Sequence, residues 1–353
     1  MGSTRRDGLA VLLDDATRVG ADLPALAQIV CAGVAQHVAY DFACFAVTDP
    51  ATGLISWASK SRSLGVGDEE FAAVEYGRAD VNSLADIAQR RPPVGALYID
   101  TGGRPDSCRR HRDLMQPQFG FTDELRVVFL SRGVSWGAMA LYRGAGQSPF
   151  TATDAHQLGA ISELLANAIQ RSLFRLGPAS WATHPPSTPG TTDGPAVLII
   201  DSTNHVTHLT AAARSAIDDL GGWEHGSLPT TVLAVTASTR TRGEHNETRT
   251  QGRSGRWLSV RAALLTGAQD GSDVVITIEP TPRTALSRLT LAAHGLTARE
   301  EDVAVLVLQG ASTHAIATTL HLSHYTVQDH LKSIFTKMGV TSRREMTARV
   351  ILQ

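Results

Sequence analysis

Within residues 321–340, HLSHYTVQDHLKSIFTKMGV, several strongly hydrogen-bonding side chains fall at spacings that bring them together. At about 100° per residue of a helix, Tyr325, Gln328, Asp329, Lys332 and Thr336 share one arc of roughly 100°. Val327, Leu331, Ile334 and Met338 fall in a narrow arc away from it, and His330 and Lys337 lie between the two. An amide, a carboxylate, an ammonium and two hydroxyls held clear of a core suit recognition of another polar surface.

Reactive side chains elsewhere fall short of a site. SCRRHRD, residues 107–113, sets Cys108 near His111, as a redox, metal or tetrapyrrole attachment would. No second ligand pair stands at a suitable spacing, so the segment reads as a basic surface loop. Cys44 sits in an apolar strand pattern and reads as core. His37, near a helix end, reads as a satisfied or exposed histidine before a haem ligand. His205 and His208 are three apart on a strand and point to opposite faces. GVSWG lacks the spacing of a nucleophile elbow, and no Gly-rich loop ends in Lys-Ser/Thr. Asp201 ends AVLIID as a receiver aspartate does, but the alternating strands and helices of a receiver are missing. No catalytic residue, metal site or cofactor is expected.

The polar face needs helices to present it. Thr297-x-x-Glu300 is a capping box for AREEDVAVLVLQ, with Gly310 placed to end that helix. Ser312 starts a short helix through HAIATTL, which buries Ile316 and Leu320. Ser323 starts the helix quoted above. A short helix, a tight turn and a second helix with a free polar face form a helix-turn-helix, and that face is the one that enters a major groove.

Upstream, residues 175–195 hold five of the fifteen prolines and read as an extended linker. Before it, Asp22 and Pro24 open a helix through LPALAQIVCAGVAQHV. YDFACFAVTD with GLISWASK, and ELRVVFLSRG with WGAMALYRG, make two strand pairs. Thr151-x-x-Asp154 then starts a long helix to about residue 174. After the linker come AVLIID, HVTHLT, a helix AAARSAIDDL, and the strands RWLSVRAALL and DVVITIEP. The polar stretch TRTRGEHNETRTQGRSGR between them, residues 239–256, reads as a loop.

Composition frames these elements. A chain of 353 residues with 42% apolar and 19% charged residues has room for two or three globular domains. A net charge of −2 confines any nucleic-acid contact to one local surface. Residues 286–353 carry seven Lys/Arg against five Asp/Glu, and three of the acids (Glu300, Glu301 and Asp302) cluster at the start of one helix, where they suit its dipole. Three scattered cysteines suggest no disulfide framework, and no signal peptide or membrane span is evident, so the expected location is the cytoplasm.

From Leu296 onward the chain resembles the LuxR-type DNA-binding domain. The matching residues are Leu296-Thr297-x-Arg299-Glu300, Gly310, Ile316-Ala317, Leu320, Ser323, Thr326-Val327, His330, Ile334, Lys337-Met338-Gly339-Val340 and Ser342-Arg343. The resemblance implies base reading by Gln328, Asp329 and Lys332, and phosphate contacts by Ser323, Thr326, His330 and Lys337. Gln pairs bidentately with adenine and Lys with guanine, whereas Asp accepts only from cytosine. Asp329 is therefore the odd member and is placed either on a base, on Lys332 or in solvent. The resemblance also implies a dimer-forming terminal helix with Met346 and Val350 on one face. Sigma-factor region 4 shares much of the pattern, but nothing upstream resembles the helices that melt DNA.

GAMALYRG…PFTxxD followed by a long helix resembles the end of a GAF domain, and the strand-turn-strand-helix order after the linker resembles a PAS domain. The expected architecture is multidomain α+β. It comprises a GAF-like sensor over 1–175, a linker over 176–194, a PAS-like domain over 195–283 and an all-α, four-helix LuxR-type helix-turn-helix over 284–353. The implied protein is a homodimeric bacterial transcription regulator on double-stranded DNA, with RNA polymerase as a further partner. A small apolar or mixed ligand would lie between the first strands and residues 60–115. The competing reading is an enzyme or a redox or haem sensor with the terminal helices as a regulatory tail.

Overall fold

The computed structural model describes Val11 and residues 21–65, 68–174, 194–243, 246–265 and 273–351. The expected linker lies outside them, apart from Gly194 and Pro195. Two compact units divide the chain between Pro280 and Thr281.

In the first unit, α1 (Leu23–Ala35) starts where Asp22 accepts from the Ala25 amide. Strands β1 (Phe42–Thr48) and β2 (Ile55–Lys60) form a hairpin. Next come α2 (Glu69–Glu75), α3 (Leu84–Ala88), the short β3 (Val94–Ala96) and α4 (Leu97–Asp100). A π-helical turn, His111–Met115, leads into α5 (Gln116–Phe119). The long strands β4 (Phe121–Ser131) and β5 (Val134–Gly144) complete an antiparallel sheet in the order β2-β1-β5-β4-β3.

The helix expected over 152–174 is two helices, α6 (Ala152–Gly159) and α7 (Ser162–Phe174). Thr151 and Asp154 do form the capping box. The two helices are separated by a turn at residues 160–161, and Ser162, the first residue of α7, serves the sheet. Its hydroxyl donates to the Val128 carbonyl at 2.7 Å and accepts from the Leu130 amide at 3.0 Å. Helix α7 packs on β4, β5 and α1, and nine of its thirteen residues are buried.

SCRRHRD is not a surface loop. Cys108, Arg110 and His111 are buried, because Arg110 is held by Glu124 through bonds of 3.1 and 2.5 Å, and Asp80 accepts from the Arg109 and Arg110 amides. Arg126 joins the network, donating to Glu75 at 2.6 Å and to the Asn82 carbonyl at 2.7 Å. Burial disfavours the Glu124 charge, but Arg110 and Arg126 outweigh it and hold the carboxyl below its ordinary value. Burial pushes all three thiols up, Cys31 and Cys108 to about 11 and Cys44 to about 12, so none is a ready nucleophile near neutrality.

The second sheet belongs to the same unit. It contains β6 (Ala196–Ile200), β7 (Val206–Leu209), β8 (Asn246–Gln251), β9 (Trp257–Leu264) and β10 (Val274–Pro280). Their order, β7-β6-β10-β9-β8, repeats that of the first sheet. Asp201 is used locally, accepting from Thr203 and from the His205 amide in the turn before β7. Helices α8 (Ala211–Asp219) and α9 (Thr230–Arg242) lie between the hairpin and the remaining strands.

The expected polar loop over 239–256 is corrected to the end of α9 followed by strand β8. Thr248 and Thr250 point inward in alternation, while Arg249 grips Asp49 of the first sheet through Nε and the Arg249 backbone, both at 2.9 Å. Thr250 donates to the Ser56 carbonyl at 2.8 Å, and Phe174 stacks on Trp257 with centroids 5.5 Å apart. Polar residues form this strand because it faces another protein layer as well as its own sheet.

In the second unit the described residues form five helices, one more than expected. The added helix is α10 (Arg283–Ala293), followed by α11 (Ala298–Leu308), α12 (Thr313–Leu320), α13 (His324–Met338) and α14 (Arg343–Ile351). Helix α10 packs on α11 and α14 and supplies Leu291 to the core. It was missed because its apolar residues are short-spaced and its start has no side-chain cap.

Candidate nucleic-acid interface

The three central helices of the second unit each begin at a side chain suited to their free amides. Thr297 and Glu300 form the reciprocal capping box of α11, Ser312 caps α12 through the Ala315 amide, and Ser323 caps α13 through the Thr326 amide. Between α12 and α13 the chain turns at His321, which takes a left-handed conformation with φ 53°. The Leu322 amide returns to the Ala317 carbonyl at 2.9 Å and closes the turn.

This turn fixes which side of α13 is free. Val327, Leu331, Ile334 and Met338 are buried with Ile316, Ala317 and Val303. Tyr325, Gln328, Asp329, Lys332 and Thr336 are exposed, and His330 and Lys337 are half-buried at the border. Among the described residues neither Asp329 nor Lys332 forms an ion pair, so the Asp329–Lys332 restraint considered above is not formed. The first-turn amides of α13 and the Ser323 and Thr326 hydroxyls, 2.8 Å apart, lie at one end of this face.

Lys337 is engaged inside the domain. It donates to Glu300 at 2.6 Å, and Ser333 donates to the other carboxylate oxygen at 2.6 Å. The Thr297 amide supplies a third bond at 2.6 Å. Burial opposes ionisation of Glu300, but the bonds from Lys337, Ser333 and Thr297 prevail and hold the carboxyl down at about 2. Sequence reasoning found the capping box but missed that the same carboxylate ties α11 to α13. The one available signal was the presence of Ser333 and Lys337 one turn apart.

Three arginines close helix ends. Arg299 donates to the Leu320 carbonyl, Arg343 to the Ala311 carbonyl and Thr313 hydroxyl, each at 2.7 Å, and Arg349 to the Met338 carbonyl at 2.5 Å. The basic residues left to the surface are thus fewer than the sequence count implies. Met346 and Val350, expected at a dimer face, are 0% and 2% exposed and belong to the core of this unit. Their stripe seals the helical domain, since α14 lies against α10 and α11.

Residues 294–350 match the GerE family, the bacterial regulatory proteins of the luxR family. This stretch is a LuxR-family domain. The matched region includes the turn, both helices of the helix-turn-helix and the Glu300–Lys337 tie. The chain is 43% identical over 54 residues to the monoamine regulon transcriptional regulator of Klebsiella aerogenes, covering 15% of this chain and 24% of that protein. It is 45% identical over 51 residues to a helix-turn-helix-type transcriptional regulator of Aeromonas salmonicida, covering 14% and 26%. The match therefore spans about a quarter of each relative. Escherichia coli SdiA aligns with 92% of this chain and 89% of its own at 11% identity, with a TM-score of 0.31, too loose a superposition to carry an argument.

Proposed function

We propose that the chain is a bacterial transcription regulator that couples a signal sensed upstream to sequence-specific major-groove binding by α13. The observation that carries this reading is the exposed polar arc of Gln328, Asp329 and Lys332 opposite a fully buried apolar stripe. In this reading those three residues read bases, while Ser323, Thr326, His330 and Lys337 border the phosphates. Lys337 reaches a phosphate only by sharing its ammonium with Glu300. A single domain of this size reads few base pairs, so two copies on an inverted repeat supply the needed selectivity. Met346 and Val350 serve such a dimer indirectly, by holding α14 in place.

The upstream unit supplies the sensor, GAF-like over 1–175 and PAS-like over 195–283, with 176–194 as connector. A small polar ligand suits the first sheet better than an apolar one. Among the described residues no partner meets the buried side-chain amide of Asn82 or either ring nitrogen of His111, beside the Arg110–Glu124–Arg126 network. Buried polar groups without partners are rare, and a hydrogen-bonding ligand would satisfy them. The place of action is the cytoplasm, and RNA polymerase is a partner at the promoter. Selection of duplexes from a random-sequence pool by the purified full chain tests the reading: an enriched inverted repeat supports it, and binding without enrichment refutes it.

A further inference from the structure

Tyr325 is 80% exposed, the most open large hydrophobic side chain of the described residues. It sits in the first turn of α13, beside the Ser323–Thr326 cap, with its ring edge-on to His324 at 6.4 Å. Taking its direction as zero at about 100° per residue, Lys332 and Thr336 project about 20° to either side, Asp329 about 40° and Gln328 about 60° away. The buried Val327, Leu331, Ile334 and Met338 lie at roughly 180–240°. Tyr325 is therefore the centre of the free face, and it adds nothing to the core of its own unit.

We propose that Tyr325 is a base-reading residue that packs its ring on the C5-methyl of a thymine in the major groove. The proposal rests on the DNA-binding reading above. The neighbouring amide, ammonium and carboxylate match adenine, guanine and cytosine edges, which leaves the thymine methyl as the one apolar feature of the groove. The ring carries no charge to pair with phosphates, and a hydroxyl bond to a phosphate would be lost in Y325F while the ring's contact with a methyl would not.

The test uses the full chain and a duplex that wild type selects from a random-sequence pool, with copies in which single thymines are replaced by uracil. Y325A is expected to bind the selected duplex about tenfold more weakly, equivalent to about 1.4 kcal/mol. Its melting temperature and the salt slope should be unchanged, and Y325F should bind like wild type. One uracil replacement should weaken wild type by a similar factor and leave Y325A unaffected. The proposal is overturned if Y325A binds as tightly as wild type, if it unfolds the domain, if Y325F loses as much as Y325A, or if wild type ignores every uracil. If wild type selects no duplex, the DNA-binding reading has failed as well, an outcome distinct from a selective wild type matched by its Tyr325 variants.

Discussion

Glu300 holds together two helices that lie far apart in sequence, and its charge state carries that role. Its carboxyl sits at about 2 in the folded protein against an ordinary 4.5. Stability from this group is thus full above about 4.5 and fades as pH falls toward 2. His294 acts earlier: burial, then the charge of Arg349, depress its pKa from 6.5 to about 4. The fold favours its neutral ring, so that contribution is full above 6.5 and fades as pH falls toward 4. Hydrogen exchange of residues 297–339 in the full chain should accelerate in these two windows, and H294Q should remove the upper one. E300Q should destabilise the unit by about 3 kcal/mol at neutral pH, because it leaves Lys337 half-buried without its counter-ion. By contrast, K332A should leave the fold unchanged and weaken specific binding by about 1–3 kcal/mol. K337A should affect both stability and affinity. The cap of Glu300 was legible because its partners lie three residues apart; the tie to α13 spans more than thirty residues and is fixed only by tertiary packing.

At the scale of elements, α2 joins the two sheets. Asp68 at its start accepts from Thr230 at 2.9 Å and pairs with Lys60 at 2.7 Å, and Glu69 accepts from Ser227. Glu75 at its end holds Arg126 in the buried network, and Ala72 packs in the core of the second sheet. A ligand that displaces Arg126 from Glu75 would therefore be felt by α9 through one short helix, and E75Q should uncouple ligand stabilisation from the second sheet. The interface itself depends on Arg249. R249A strands Asp49, whose side chain is fully buried, and should lower the stability of the unit by about 3–5 kcal/mol, read as a fall in melting temperature of the full chain. The hairpins and capped helices of this unit were legible because alternation and caps are local. Strand β8 and helix α9 were not: β8 buries threonines, and α9 is enclosed on several sides, which removes the one-sided periodicity that reveals a helix.

For the whole molecule, the compact units divide before α10, so a fragment meant to carry the DNA-binding end should begin at Thr281 and keep that helix. A fragment ending near residue 176 would cut through the Arg249–Asp49 and Phe174–Trp257 contacts, and ligand screens belong on residues 1–280 or the full chain. V350E should unfold the second unit and not merely separate two copies, because Val350 is part of the core. The central claim is that the polar arc of α13 reads DNA. Its most direct test is a salt titration of full-length wild type and K332A on a duplex selected by wild type and on a scrambled duplex. The account predicts that wild type prefers the selected duplex at every salt concentration and that K332A loses much of this preference while still binding the scrambled duplex. Equal affinity of wild type for both duplexes, or an unchanged preference in K332A, would contradict it.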